Sequence, residues 1–369
     1  MALNCGIVGI PNVGKSTIFS ALSSAKAEAA NYPFCTIEPN KGIVSVPDPR
    51  LDRLVELFQP ERRIPAVVEF VDIAGLVAGA SKGEGLGNQF LAHIRETGII
   101  AQVVRCFDDP DIVHVANRVD PQNDIDVIAT ELALADLETV DKRIDKAERG
   151  MRVLGGEAKK AAEHELAALR KVRPLLEEGK AARLASLSDE EAVEAKKWFL
   201  LTMKPQIYVC NTDETGVRNG NQYIETVRRH AEREGSETVV ICGKFEAELA
   251  EMDSEEDKLA FLSELGLKES GLSGLIHAAY KLLGLRTFFT SGKDECRAWT
   301  FQAGDKAPQA AGVIHTDFEK GFIKADVYSF ADIDKYETEA ALRAAGKIRM
   351  EGKEYVVQDG DVMFFKFNV

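Results

Sequence analysis

Gly9-Ile10-Pro11-Asn12-Val13-Gly14-Lys15-Ser16-Thr17 decides how this chain is read. It fits G-x-x-x-x-G-K-[ST], the phosphate-binding P-loop, and its surroundings fit as well. Leu3 to Val8 is a short apolar run that predicts a strand, and Ser16 to Leu22 reads as the start of a helix. Strand, glycine-rich turn and helix form the setting the motif requires. Gly9 and Gly14 let the backbone wrap closely round phosphate oxygens. The amides of Asn12, Val13, Gly14, Lys15, Ser16 and Thr17, with the helix N-terminus, then supply positive potential. In this pattern Lys15 reaches the β- and γ-phosphates, and the Ser16 hydroxyl holds Mg²⁺.

Outward from that turn, the sequence supplies further parts of a nucleotide switch. Asn31-Tyr32-Pro33-Phe34-Cys35-Thr36-Ile37-Glu38-Pro39-Asn40 is too rich in Pro and Asn for a regular element, and a strand over Lys41 to Val46 follows it. Thr36 is the candidate to close over the metal and the γ-phosphate. Cys35, beside it, is a candidate redox-sensitive thiol. Ala66 to Val71 reads as a buried strand ending in Asp72-Ile73-Ala74-Gly75. A carboxylate at a strand's carboxyl end is where a P-loop protein holds Mg²⁺, usually through water. Gly75 leaves room for its N–H to meet a γ-phosphate. Leu76 follows where many GTPases carry a glutamine that orients the attacking water, and leucine cannot do that. His114, just past a strand over Ile99 to Phe107, is the alternative candidate for positioning water; an ordinary loop histidine fits the same pattern.

The base end departs from the guanine-reading pattern. A strand over Gln206 to Cys210 runs into Asn211-Thr212-Asp213-Glu214, where GTPases usually carry N-K-x-D. Thr212 replaces the lysine and Glu214 the aspartate that pairs with guanine's edge. Asn211 is still expected to tie the base pocket to the P-loop. A strand over Thr238 to Cys242 leads into Gly243-Lys244, without the Ser-Ala pair usual in guanine sites.

Between these motifs the periodicity changes. Ala133, Leu137, Val140, Ile144, Ala147 and Met151 alternate steps of three and four, as a heptad seam does. Ala162, Leu166, Leu169, Val172 and Leu176 repeat the pattern after Gly155-Gly156. A helical hairpin at about 127–200 is expected. From Lys142 to Arg173 ten basic residues face five acidic ones, a local charge of +5 in a chain of −14. That excess suits either an RNA- or ribosome-facing arm or a solvated face laced with ion pairs. After Arg286 short strands dominate: Arg286 to Thr290, Ala298 to Gln302, Phe322 to Tyr328, Glu354 to Val357 and Val362 to Phe367. The expectation is an α/β P-loop domain over 1–284 and a β-rich module over 285–369.

Composition bounds the rest. With 45% hydrophobic and 29% charged residues the chain has the balance of a soluble globular protein. No apolar run reaches membrane-spanning length, and the N-terminus enters the first strand directly, so neither a membrane span nor a signal peptide is expected. A net charge of −14 argues against general affinity for DNA or other phosphate backbones. The six cysteines lack C-x-x-C or zinc spacing, which suits a reducing cytoplasm.

Taken together, these residues resemble the Obg-like ATPase family, known in bacteria as YchF. The resemblance spans nearly the whole chain. Asn31-Tyr32-Pro33-Phe34-Cys35-Thr36 and His315-Thr316-Asp317-Phe318-Glu319-Lys320-Gly321-Phe322 carry it most specifically. It implies a Ras-like OBG-type G domain shifted to ATP, with N-x-x-E in the base position at Asn211 and Glu214. It also implies a coiled-coil insertion, a C-terminal TGS (ubiquitin-like) domain, Mg²⁺ at Ser16 and Thr36, and association with the ribosome and its large subunit. In similar P-loop proteins an asparagine at the position of Asn12 can ligate K⁺. An Obg-type GTPase, or a nucleotide-gated scaffold with negligible turnover, are the competing readings.

Overall fold

The computed structural model describes residues 3–24, 40–73, 86–116, 118–153, 155–252 and 254–368. Cys35, Thr36, Gly75 and Leu76 lie outside the described residues. In chain order the elements are β1 (Asn4–Val8), α1 (Lys15–Ser24), β2 (Lys41–Ser45), α2 (Pro49–Phe58), β3 (Arg62–Ile64), β4 (Val67–Asp72), α3 (Leu86–Arg95) and β5 (Ile99–Arg105). Then come α4 (Pro121–Met151), α5 (Gly156–Glu177), α6 (Asp189–Ala195), β6 (Gln206–Asn211), α7 (Glu214–Asn219), α8 (Gln222–Glu234), β7 (Glu237–Ile241), α9 (Gly243–Ala250), α10 (Glu255–Glu264) and α11 (Gly271–Leu282). The last part holds β8 (Leu285–Ser291), β9 (Glu295–Gln302), α12 (Ala307–Ile314), α13 (Thr316–Lys320), β10 (Phe322–Ser329), α14 (Phe330–Tyr336), α15 (Glu339–Ala344), β11 (Arg349–Glu351) and β12 (Asp361–Phe367). Two compact units result: Met1–Gly42 with Glu69–Ala279, and Ile43–Val68 with Tyr280–Val369.

The first unit is built on a six-stranded sheet in the order β2-β4-β1-β5-β6-β7. β1 pairs in parallel with β4 and β5, β5 with β6, and β6 with β7. Every residue of β5 and β6 is buried. That is why both read as near-continuous apolar runs rather than alternating ones: helices cover both faces of a parallel sheet. The register brings Arg105 opposite Asn211, and Asn211 opposite Ile241. The loops that carry the sequence motifs therefore leave one carboxyl edge of the sheet, where open α/β sheets place their ligands.

Between β5 and β6 the chain forms two long helices. Asp120 caps α4 through a bond from the Asn123 N–H at 3.2 Å, and Pro121 occupies the first turn. Of the expected seam, Ala133, Val140, Leu169, Val172 and Leu176 are fully buried in one cluster, with Leu137 and Ile144 packed on it. Trp198 and Leu200 complete this core from the segment that returns to the sheet. Asp136 anchors that segment, accepting from Leu201 N at 2.8 Å, Thr202 N at 2.7 Å and the Thr202 hydroxyl at 2.6 Å. Lys142, Arg143, Arg170, Lys171 and Arg173, half of the basic residues counted above, are held in ion pairs with Glu138, Glu165, Glu148, Glu191 and Asp141.

The second unit carries a mixed six-stranded sheet in the order β11-β10-β12-β8-β9-β3. Phe288, Phe301, Phe322, Met363 and Phe365 form its core with the alanines of α12. Phe288 and Phe365 meet edge to face at 5.7 Å. The expected strand over Glu354 to Val357 is not formed. Val356 makes a single bridge to Lys306, and the short strand is Arg349–Glu351 instead. Asp361 explains the change: its carboxylate accepts from Gln358 N at 2.9 Å and from the Tyr355 hydroxyl at 2.7 Å, which folds this stretch into a turn. The four helices α12 to α15 are an addition to the β-rich reading. Two are started by Ser329 and Thr338, whose hydroxyls accept from Asp332 N and Ala341 N. Among the described residues, no helix is long and apolar enough to cross a membrane.

Candidate functional site

The carboxyl edge of the first sheet opens into a cleft of ≈ 1160 Å³. One end is made by the P-loop, from Ile10 to Thr17, and the other by Asn211–Thr215, Cys242–Lys244 and Phe107–Asp109. The cleft thus brings together the P-loop and the Asn211–Glu214 segment, the two stretches singled out from sequence.

At the phosphate end the backbone leaves β1 and turns through Asn12 at φ +63° and Gly14 at φ +89° before α1 begins. Asparagine is among the few side-chain-bearing residues that accept this region readily. Val13 is fully buried, so what it offers a ligand is its backbone. Ser16 and Thr17 are exposed at the head of α1 and line the cleft. Lys15 is 9% exposed and forms an ion pair with Asp72, at the end of β4. The cation and the carboxylate assigned to phosphate and metal thus neutralise each other here. Asn12 donates its amide to the Val113 carbonyl at 3.1 Å.

Asn211 joins the two ends. Its Nδ2 donates to the Val13 carbonyl at 2.8 Å, and its Oδ1 accepts from Gly243 N at 3.0 Å. The side chain is therefore spent on backbone, while Asp213 and Glu214 are both exposed and both line the cleft. Thr212 is buried, with its hydroxyl on the Cys106 carbonyl at 3.0 Å. Asp213 starts α7 by accepting from Gly216 N at 2.7 Å. Lys244 is exposed on the cleft wall.

His114 lies beneath the 107–116 loop, 5% exposed and not among the residues lining the cleft. Its Nδ1 accepts from Ala116 N at 3.1 Å, so the proton sits on Nε2, which donates to Asp124 at 3.1 Å. Burial pushes the Asp124 carboxyl above the usual range, and the bond from His114 partly offsets that. Both ring nitrogens are engaged within the fold, so positioning water would require giving up one of these bonds. Thr36 and Gly75, the remaining sequence candidates, lie outside the described residues.

Sequence reasoning passed over Arg105 and Phe107. The signal was present: Ile99 to Val104 is the most apolar strand of the sheet, and it ends in an arginine followed by an aromatic. A charged residue closing a fully buried strand is rare enough to need an explanation.

Comparison with known proteins gives family matches to two parts of the chain. Residues 4–141 match a family model described as "50S ribosome-binding GTPase", and residues 285–368 match YchF-GTPase_C, described as a protein of unknown function. The chain is 54% identical over 369 residues to a Pasteurella multocida protein and 52% identical over 371 residues to one from Bacillus subtilis, covering 100% of each chain. The chain belongs to the YchF family. Both of these YchF relatives carry the name "Ribosome-binding ATPase YchF". A solved structure of the Schizosaccharomyces pombe YchF GTPase, 42% identical, superposes with a TM-score of 0.89 over 99% of this chain and 97% of that one. The names of YchF members thus include both ATPase and GTPase.

Proposed function

We propose that this chain is a Mg²⁺-dependent ATPase of low intrinsic rate whose nucleotide state governs its association with the ribosome and its large subunit in the cytoplasm. The observation that carries the reading is the unequal cleft. Its phosphate end holds Lys15, Ser16 and the turn through Gly14, while its base end presents Glu214 and Lys244 in place of a guanine reader. The names of the relatives support both the ATPase and the ribosome parts. In this reading Asn12 to Thr17 cradle the phosphates, Gly75 meets the γ-phosphate, and Asn211 and Glu214 serve the base. The architecture is a Ras-like OBG-type G domain over 1–284 with a coiled-coil hairpin at about 127–200, and a TGS domain over 285–369.

The donors near the phosphate end suit Mg²⁺. One hydroxyl at Ser16 and one carboxylate at Asp72, with Thr36 as the further candidate from sequence, leave room for phosphate oxygens and water, and this ion keeps several waters. When bound it neutralises charge on the β- and γ-oxygens. K⁺ at the Asn12 Oδ1 extends the reading by analogy. The decisive measurement is titration with non-hydrolysable ATP and GTP analogues at equal Mg²⁺. Tighter ATP binding, by about tenfold or more, is expected from the altered base end; a clear GTP preference would make the chain an ordinary Obg-type GTPase.

His114 is assigned a structural role within this proposal. His114→Ala leaves Asp124 buried without its partner and the Ala116 N–H unpaired. Stability in denaturant should fall by roughly 3 kcal/mol, with kcat of the remaining folded enzyme within a factor of ~3 of the parent. A loss of ~10² in kcat at unchanged stability would return the residue to water positioning.

A further inference from the structure

Arg105 closes β5 with its side chain 1% exposed, the largest fully buried side chain among the described residues. A guanidinium cannot shed its charge, so burial at this level demands partners. It has them in an unusual form. Nε donates to the Phe107 carbonyl at 3.1 Å, Nη1 to the Ile112 carbonyl at 2.9 Å, and Nη2 to the Asp109 carbonyl at 3.1 Å. Its Cζ also lies 4.8 Å from the centroid of the Phe107 ring, a cation–π contact. All three accepting carbonyls belong to one short loop, and Phe107, Asp109 and Ile112 line the cleft.

A loop without its own ladder pays conformational entropy to hold a shape. Here one fork of donors fixes three carbonyls across six residues, and a charge-assisted bond is about twice as strong as a neutral one. The strand below fixes the arginine in turn, because Arg105 pairs in register with Asn211, whose side chain spans the two ends of the cleft. We propose that Arg105 is a positioning residue for the nucleobase: it holds the Phe107–Ile112 wall so that the Phe107 ring presents its face to the base, and it acts through Phe107 rather than by touching ligand. This inference rests on the nucleotide reading of the cleft.

The consequence is a split between base and phosphate. Arg105→Met should weaken binding of Mg-ATP by about tenfold while leaving Mg-tripolyphosphate binding unchanged, because the P-loop is untouched. Phe107→Ala should produce a similar base-dependent loss, since aromatic stacking contributes on the order of tenfold per base. If Arg105 acts through Phe107, the double variant binds Mg-ATP no more weakly than Phe107→Ala alone. Calorimetric titration of the full chain with both ligands tests this, and thermal melting checks that each variant is folded. Should Arg105→Met not fold, Arg105→Lys, which keeps the charge but loses the fork, takes its place with the same expected split. Equal weakening of both ligands, unchanged ATP affinity, or losses that multiply in the double variant would overturn the assignment. A parent protein that binds tripolyphosphate as tightly as ATP would instead remove the base reading on which it stands, and that result is visible before any variant is made.

Discussion

Replacing Lys15 by methionine is expected to slow ATP hydrolysis by about 10³-fold, as loss of a charge-stabilising group in a phosphoryl-transfer site does. Lys15 is the first residue of α1, and its long side chain is buried to 9% exposure with its head on the Asp72 carboxylate. Methionine fills the same channel, so packing round the stem is retained. What disappears is the one positive side chain that the P-loop holds at the phosphate end. In the nucleotide-bound state of this proposal, phosphate oxygens would compete with Asp72 for Lys15, and the released carboxylate would be available to help hold Mg²⁺. Lys15→Met frees Asp72 without supplying that competition, so an uncompensated carboxylate repels the incoming phosphates. Affinity should therefore fall together with the rate. The ion pair is partly exposed, with side chains at 10% and 22%, so its loss should change unfolding free energy by only about 1 kcal/mol. Single-turnover hydrolysis at saturating Mg-ATP is the measurement. A rate within tenfold of the parent would mean that Lys15 serves the fold rather than the chemistry.

The parts of this molecule that were legible in sequence are those in which local pattern and tertiary role coincide. Gly9 to Thr17 announces its own backbone, because only a glycine-rich turn between strand and helix has that spacing. The stripe through Val140, Leu169, Val172 and Leu176 is legible because a seam repeats. Asn211 could be assigned its bridging role from motif position, and it holds Val13 and Gly243. Other contacts left no mark on the pattern. The bond from His114 to Asp124 was not legible, because Asp124 sits ten residues on, in the first turns of α4, and no periodicity signals such a pair. Arg105 was overlooked because its acceptors are carbonyls, which every residue has and no sequence pattern marks. The strand expected at Glu354 to Val357 lost to a single carboxylate, Asp361, whose bonds to Gln358 N and the Tyr355 hydroxyl favour a turn. In each case a side chain's long-range or backbone partner outweighed local propensity.

Gly14→Ala should damage nucleotide binding severely although it alters no charge and no donor. The residue sits at φ +89°, a region that L side chains rarely adopt. Strain of about 1–2 kcal/mol follows from that alone. Space is a second obstacle: an added Cβ would lie 2.1 Å from Asn211 Nδ2, a distance no real contact tolerates. Asn211 cannot step aside freely, because that nitrogen donates to Val13 and the opposite oxygen accepts from Gly243. Displacing it leaves two buried backbone groups unpaired, at roughly 1–3 kcal/mol each. The combined cost falls on the turn that shapes the phosphate cradle, and ATP affinity should drop by about 10²-fold or more. Asn211→Ala separates the two contributions. It removes the obstructing amide, so if sterics dominate, Gly14→Ala in that background should add less than about a fivefold further loss. If the positive φ dominates, the second substitution should cost as much as it does in the parent. Titration of a fluorescent ATP analogue across the four proteins, with melting curves to exclude unfolding, gives the cycle. Parental affinity in Gly14→Ala would show that the cradle adopts another backbone when nucleotide binds.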